Sequence, residues 1–179
     1  MIEIRVPQTE AWDETNECFI VLPEETVKME HSLISIAKWE SRWHEPFMGD
    51  SDKTDEQILD YMRCMVMGNK DPDVVYRFTM EDSERIGEYI NDPMTATTFT
   101  DLERKALRGE TVTAELIYYW MISLKIPIEF QKWHFNRLMT LIRVCLIKNQ
   151  PEKKMGRSEL LARNKALNDA RRKRLNSKG

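Results

Sequence analysis

Apolar and charged residues alternate at the start of the chain with the two-residue period of a half-buried strand. The run covers residues 2–6 and ends at Pro7, after which residues 8–17 are mainly polar and predict a loop. The apolar stretch at 18–22 indicates a second strand, and the segment TVKM at 26–29 is the candidate for a third. We therefore predict a small N-terminal β-hairpin or three-stranded sheet, which needs helices against one face to be stable.

From residue 32 onward the spacing of apolar residues changes to three or four, the period of amphipathic helices. Ser32, Thr54 and Thr113 precede three of these runs and are suited to cap the helix N-termini. Helices are predicted over residues 33–45, 55–67, 80–91, 114–124, 128–147 and 158–175. The fold class is therefore expected to be α+β and mainly α-helical, with a small sheet followed by about six helices.

The densest apolar sequence lies in the predicted helix at 128–147. Its apolar stripe is wider than a surface helix needs, which predicts a central position or cover by another subunit. Met62, Met65 and Met67 lie close together in the 55–67 helix. Core filling is the simpler interpretation of these methionines, and an adaptable surface for partner helices is the alternative.

Charge is divided unevenly along the chain. Residues 148–179 contain eleven Lys or Arg and three acidic residues, a balance of +8, while the whole chain has a formal charge of −3, which leaves −11 on residues 1–147. We predict an acidic α+β body over 1–150 and a basic helical tail over 151–179. Such a tail either docks on an acidic partner or folds back on its own body.

Nucleic acid is the third possible target of this tail, since lysine and arginine neutralise phosphates. The tail contains no aromatic residue to stack on bases, and the acidic body would repel a duplex. Nucleic-acid binding is therefore disfavoured, and protein docking or self-complementation is preferred.

The cysteines are three, far apart, and none forms a Cys-x-x-Cys pair. Each of Cys18, Cys64 and Cys145 sits in an apolar run, which predicts buried free thiols in a reducing cytosol.

The N-terminus lacks the basic segment and the apolar segment of a signal peptide, and no apolar stretch is long enough to span a bilayer. A cytoplasmic protein without a membrane segment is expected.

Catalytic chemistry is not indicated by any motif. The sequence contains no GxGxxG, Walker, HExxH or GxSxG pattern. His31, His44 and His134 lack the short spacing of metal ligands, so a surface or packing role is expected for each. We therefore expect no enzyme activity, no metal and no cofactor.

Three segments of the chain resemble one family. The first is HSLISIAKWES at 31–41 with WHEPF at 43–47, and the second is TAELIYYWM at 113–121 with QKWHFNRL at 131–138. The third is the ending from KKM at 153–155 to LNSKG at 175–179. Together they cover about half of the sequence and are similar to the tail assembly chaperones of long-tailed bacteriophages. The linker at 93–99 is also similar, but Thr98 stands where an aromatic residue is expected.

The resemblance implies a non-catalytic role in the bacterial host cytoplasm. Such chaperones coat the long, helical tape-measure protein, keep it soluble, help the major tail tube protein to polymerise around it, and leave the finished particle. Self-association is also expected. We expect Trp120, Trp133 and Met139 to form a core and groove wall, and the basic tail to engage an acidic stretch of a partner. The predicted protein-binding residues are Trp39, Trp43, Trp120, Trp133, Met139, Arg171, Arg172, Lys173 and Arg174.

Two other functions remain open from the sequence. A structural tail or connector component would use the same surfaces for permanent contacts in the virion. A basic-tailed accessory protein would instead bind nucleic acid with a steep salt dependence.

Overall fold

The computed structural model describes residues 1–49, 51–68, 70–98, 111–149, 161, 164–168 and 171–172. The chain divides into two compact units, Met1–Lys148 and Asn149–Gly179. In the second unit the described residues between 161 and 172 are helical, in agreement with the helix predicted there.

Four short strands begin the first unit: β1 (Ile2–Val6), β2 (Thr9–Asp13), β3 (Cys18–Leu22) and β4 (Glu25–Met29). They pair antiparallel as two separate two-stranded sheets, β1 with β4 and β2 with β3. The three predicted strands are confirmed, but the loop predicted at 8–17 is wrong because β2 lies within it. Its sequence, TEAWD, carries no apolar alternation, and only the pairing with β3 makes it a strand.

Helices follow the strands and make the fold α+β and mainly helical, as predicted. None of the described helices is both long and apolar enough to cross a lipid bilayer. The α-helices are α1 (Leu33–Trp43), α2 (Asp55–Met65), α3 (Met80–Asn91), α4 (Ala114–Ser123) and α5 (Phe135–Lys148), with short 3-10 helices at Pro72–Arg77 and Ile128–Lys132.

Side-chain caps fix where these helices begin. The hydroxyls of Ser32, Thr54 and Thr113 each accept a hydrogen bond from a backbone N–H of the first turn, as predicted. Thr54 and Gln57 form a reciprocal capping box, and Thr79 starts α3 in the same way. These contacts are local, so the sequence alone contains the signal for them.

The helix predicted at 128–147 is wrong as a single element. The 3-10 helix ends at Lys132, Trp133 is extended with ψ of 160°, and α5 starts at Phe135. The N–H of Phe135 donates to the carbonyl oxygen of His31 at 2.7 Å, so this backbone is tied to the segment before α1. A contact across about a hundred residues thus interrupts a helix that the local apolar pattern favours.

The core lies between the β1–β4 sheet and the helices. Ile4, Val27 and Met29 on the sheet and Ile36 and Trp39 on α1 are at most 1% exposed.

Predicted burial of the cysteines is confirmed for Cys64, holds partly for Cys145, and is wrong for Cys18, which is exposed. Cys18 lies on β3, whose sheet packs little apolar surface against the core, as the exposed β3 residues indicate.

Arg77 fixes the base of the hairpin formed by β2 and β3. Its Nη2 donates to the carbonyl oxygens of Pro7 at 2.7 Å and Pro23 at 2.9 Å, and its Nη1 bonds Oε1 of Glu25 at 3.0 Å. The two prolines stand where the chain leaves β1 and returns to β4. One partly buried guanidinium therefore holds both chain crossings at the base of the hairpin.

Candidate protein-binding surface

Helix α4 is apolar on nearly all sides. Its buried side, Ala114, Ile117 and Met121, is at most 1% exposed, whereas Tyr119 and Ile122 on the other side are 62% and 74% exposed. A helix that is apolar all round is normally covered on all sides. The outward side of α4 is therefore the strongest candidate for a protein-binding surface in the described residues.

Trp120 lies on one flank of α4, partly buried against the core. Tyr118 lies on the opposite flank, about 160° away at 100° per residue, and its hydroxyl donates to Oε1 of Gln131 at 2.9 Å. Burial, and to a smaller extent Glu115, raises the pKa of Tyr118, so the hydroxyl stays protonated as this hydrogen bond requires. Between the two flanks the outward side is exposed in the described part of the chain, and besides Tyr119 and Ile122 it carries the exposed Glu115 and Ser123.

Trp133 forms a compact stack just before α5. Its ring lies parallel to Phe130, with centroids 3.9 Å apart and 15° between the planes. The Arg137 guanidinium covers the ring at 4.1 Å from the centroid, a cation–π contact. Trp133 is partly exposed, so this stack is a rigid aromatic surface rather than part of the central core.

The tryptophans of α1 have different surroundings. Trp39 is 1% exposed and donates its Nε1 hydrogen to the carbonyl oxygen of Gln57 at 2.9 Å. Trp43 stacks on Trp39 with centroids 6.2 Å apart, and its Nε1 donates to Asp60 at 3.0 Å. Trp39 is therefore a core residue that joins α1 to α2, and only Trp43 presents part of its ring at the surface.

The remaining predicted binding residues are placed as follows. Met139 on α5 is partly buried against the core. Arg171 and Arg172 are helical and exposed in the second unit, while Lys173 and Arg174 lie outside the described residues. The structure therefore does not bring all of the predicted residues together. The aromatic residues of α1 form one group with α2, and Trp133 forms another with Phe130 and Arg137.

A buried polar cluster was not predicted from the sequence. The Nδ1 atom of His31 and the hydroxyl of Tyr61 form a hydrogen bond, and the ring of His134 lies 5.1 Å from that of His31. His134 donates from Nε2 to the carbonyl oxygen of Tyr89 at 2.9 Å, and the Tyr89 hydroxyl donates to Glu30. Both histidines are at most 5% exposed, so the packing role expected of them agrees with their position.

Nothing in this cluster suggests a metal centre. Among the described residues, no group of three or more potential ligands could hold a metal ion. Glu30 instead binds the N-terminal ammonium of Met1 at 2.6 Å. The cluster therefore fixes the N-terminus, the end of α3 and the start of α5 to the segment before α1.

The cluster predicts acid sensitivity. Burial, and then the neighbouring His134, lowers the pKa of His31 to about 3, far below the unfolded value of about 6.5. Between these values the unfolded chain binds a proton that the folded chain does not, so stability falls as pH falls. We expect this one group to lower the free energy of unfolding by about 2–3 kcal/mol between pH 7 and pH 4.5. Denaturant titrations at the two pH values measure the change.

A matched variant isolates this effect from that of other groups. His31→Asn retains a polar group that can form a hydrogen bond with the Tyr61 hydroxyl but does not titrate in this range. Its free energy of unfolding should be lower than that of the original chain at pH 7. Between pH 7 and pH 4.5 that free energy should also fall less steeply, because one fewer group takes up a proton on unfolding. Identical pH slopes for the two proteins would contradict the buried, neutral state of His31.

The exposed position of the hairpin of β2 and β3 was also not predicted from the sequence. Trp12 faces Phe19 across the two strands, and both rings are more than half exposed. The only available signal was the exceptional apolar run at 18–22, which periodicity alone assigns to a buried strand.

Comparison of the chain with known protein families, with curated proteins and with solved structures finds no match.

Proposed function

We propose that this chain is a non-catalytic tail assembly chaperone of a long-tailed bacteriophage, acting in the host cytoplasm by binding the helical tape-measure protein. The proposal starts from the resemblance of segments 31–47, 113–146 and 153–179 to that family. The main observation in its support is the exposed apolar side of α4, formed by Tyr119 and Ile122, which lies within segment 113–146.

The chemistry of α4 suits a helical partner. A tape-measure protein presents apolar stripes along helices, and such stripes bind to apolar, accommodating surfaces. Tyr119 and Ile122 lie three residues apart on α4 and point to the same side, so they can contact one stripe together. Trp120 on the flank and the stack of Trp133 supply rigid aromatic area nearby in sequence. The basic residues of the second unit provide the complementary charge for an acidic stretch of the partner.

The direct test replaces the exposed apolar residues of α4 by charge. In a Tyr119→Glu, Ile122→Glu variant, folding should be retained because both side chains already contact water. Burial of each side chain contributes roughly 1.5–3 kcal/mol, so the amount of tape-measure protein co-purified after co-expression should fall more than tenfold. Quantitative pull-down and the soluble fraction of the tape-measure protein are the measurements.

Ile58→Glu is the matched control. Ile58 is 44% exposed on α2, away from α4 in sequence, so the same change of chemistry should leave co-purification unchanged. Equal binding by the α4 variant and the original chain would contradict the proposed surface.

A structural tail or connector component would use the same surfaces. The two functions differ in whether the protein remains in the finished virion. A chaperone should be absent from purified virions when their proteins are identified by mass spectrometry. Its presence at a fixed copy number would favour the structural role.

A further inference from the structure

The hairpin arm, residues 9–22, presents a surface of unusual composition. Trp12 and Phe19 are 53% and 70% exposed, and their rings meet edge to face with centroids 5.0 Å apart. Taking 150–250 Å² for an aromatic side chain, the two rings expose on the order of 250 Å². Glu14 and Glu17 in the loop between the strands are exposed, and neither forms an ion pair within the described part of the chain. The arm therefore combines an exposed aromatic pair and the apolar strand β3 with an acidic tip.

A groove lies along the outer edge of β4. The segment after α2 pairs briefly with this strand, since the N–H of Met67 donates to the carbonyl oxygen of Lys28 at 2.9 Å. Gly68, with φ of +79°, then turns the chain away from the edge. Two neighbouring cavities of about 270 and 490 Å³ share Met67 and Gly68 in their walls. A cavity of about 150 Å³ already holds a benzene ring, so either cavity can receive an aromatic side chain.

The charge of this groove is opposite to that of the surrounding body. Its acidic lining residue Glu30 is bound to the N-terminal ammonium. Two of its lysines are already paired, Lys28 with Glu3 at 3.3 Å and Lys70 with Glu25 at 2.9 Å. Lys38 and Lys132 form no ion pair with any described residue, so their charges remain available to a partner. We call this feature the basic groove, after the four lysines that line its two cavities, Lys28, Lys38, Lys70 and Lys132.

No residue of the arm lines the basic groove of its own chain. The base of the arm is fixed beside the start of β4 by Arg77, and the groove adjoins Thr26 on that same strand. Two five-residue strands carry the acidic tip roughly 17 Å from this base. Because the tip is held away from the base beside which the groove lies, we infer that an arm occupying the groove belongs to a second copy.

We propose that the hairpin arm of one copy seats in the basic groove of the next copy. Trp12 and Phe19 cover the exposed part of Met67, and Glu14 and Glu17 lie opposite Lys38 and Lys132. Because arm and groove are different surfaces, the contact is head-to-tail and each copy can both give an arm and receive one. Such contacts close into rings or continue as open filaments. The surfaces differ from the α4 side assigned to the tape-measure protein, so the two proposals fail separately.

Charge reversal tests the contact with the purified full-length chain alone. The original chain should self-associate at micromolar concentration in sedimentation velocity, and less so in high salt because the paired charges are screened. A Glu14→Lys, Glu17→Lys variant and a Lys38→Glu, Lys132→Glu variant should each have a dissociation constant at least tenfold higher. In a one-to-one mixture every arm again meets a groove of opposite charge, so association should return.

The matched control is Glu84→Lys, Glu88→Lys, which reverses two exposed acids on α3 and should leave association unchanged. Thermal melts of every variant check that the fold is retained. The proposal is overturned if the original chain stays monomeric at low salt, if either reversed variant associates as the original does, or if their mixture remains dissociated.

Discussion

Replacing Trp39 by alanine is expected to lower the free energy of unfolding by about 3–5 kcal/mol, enough to unfold much of the protein. The side chain is 1% exposed, lies against Phe47 at a centroid distance of 5.3 Å, and stacks on Trp43. Its removal leaves a large cavity between α1 and α2, and the carbonyl oxygen of Gln57 loses its donor. Denaturant unfolding followed by circular dichroism measures the loss.

Two further variants separate the contribution of the indole hydrogen bond from that of burial. Trp39→Phe keeps most of the apolar volume but removes the indole N–H, so it should cost about 1–3 kcal/mol. Trp43→Ala should cost less than Trp39→Ala because part of the Trp43 ring is already in water. If Trp43 proved the more damaging of the two, the assignment of Trp39 to the core would be wrong.

Replacing Glu40 by alanine is expected to cost about 2–5 kcal/mol, because it leaves two backbone N–H groups without their acceptor. Glu40 is 9% exposed. Its Oε1 accepts from the N–H of Phe47 at 2.8 Å, and its Oε2 accepts from the N–H of Ala114 at 2.7 Å. The second contact places a carboxylate at the N-terminus of α4, where the helix dipole favours negative charge. The same denaturant titrations measure the change.

Glu40→Gln tests whether both contacts matter. The amide has one acceptor oxygen and an NH₂ group that cannot accept, so one of the two N–H groups stays unpaired and the cost should be intermediate. Glu88→Ala, an exposed acid on α3, should change stability by less than about 0.5 kcal/mol. Wild-type stability in Glu40→Ala would contradict a role for this side chain in seating α4.

Glu40 also links the core to the proposed binding surface. α4 is held at its N-terminus by a side chain of α1, and its buried side packs on the core through Ala114, Ile117 and Met121. Variants at Glu40 that remain folded should therefore weaken the binding of a helical partner without touching it. The position of the exposed side of α4 therefore depends on a hydrogen bond at the N-terminus of the helix.

The tryptophans illustrate how far the sequence could predict the candidate surface. Four of the five, Trp39, Trp43, Trp120 and Trp133, were candidates for a partner, because apolar periodicity identifies a buried or covered position without saying what covers it. The structure places Trp39 in the core, leaves Trp43 and Trp120 at its margin, and gives Trp133 its own stack with Phe130 and Arg137. Only the tertiary packing around each ring separates these cases.

The sequence by itself determined the local features of this protein. The starts of the helices at Ser32, Thr54 and Thr113 and the strands at 2–6 and 18–22 follow from hydrogen bonds and periodicities that span only a few residues. The mainly helical α+β class follows from the same signals.

Tertiary structure decided everything that depends on residues far apart in the chain. β2 is a strand because β3 pairs with it, α5 starts at Phe135 because the carbonyl oxygen of His31 receives its N–H, and His31 is buried because α2 and α5 enclose it. These contacts compete with local preferences of only about 1 kcal/mol or less per residue, which burial and hydrogen bonding readily exceed. Three exposed surfaces result from that packing: the hairpin arm, the basic groove and the outward side of α4. The periodicity of the sequence does not predict them, because it does not show which apolar positions remain uncovered.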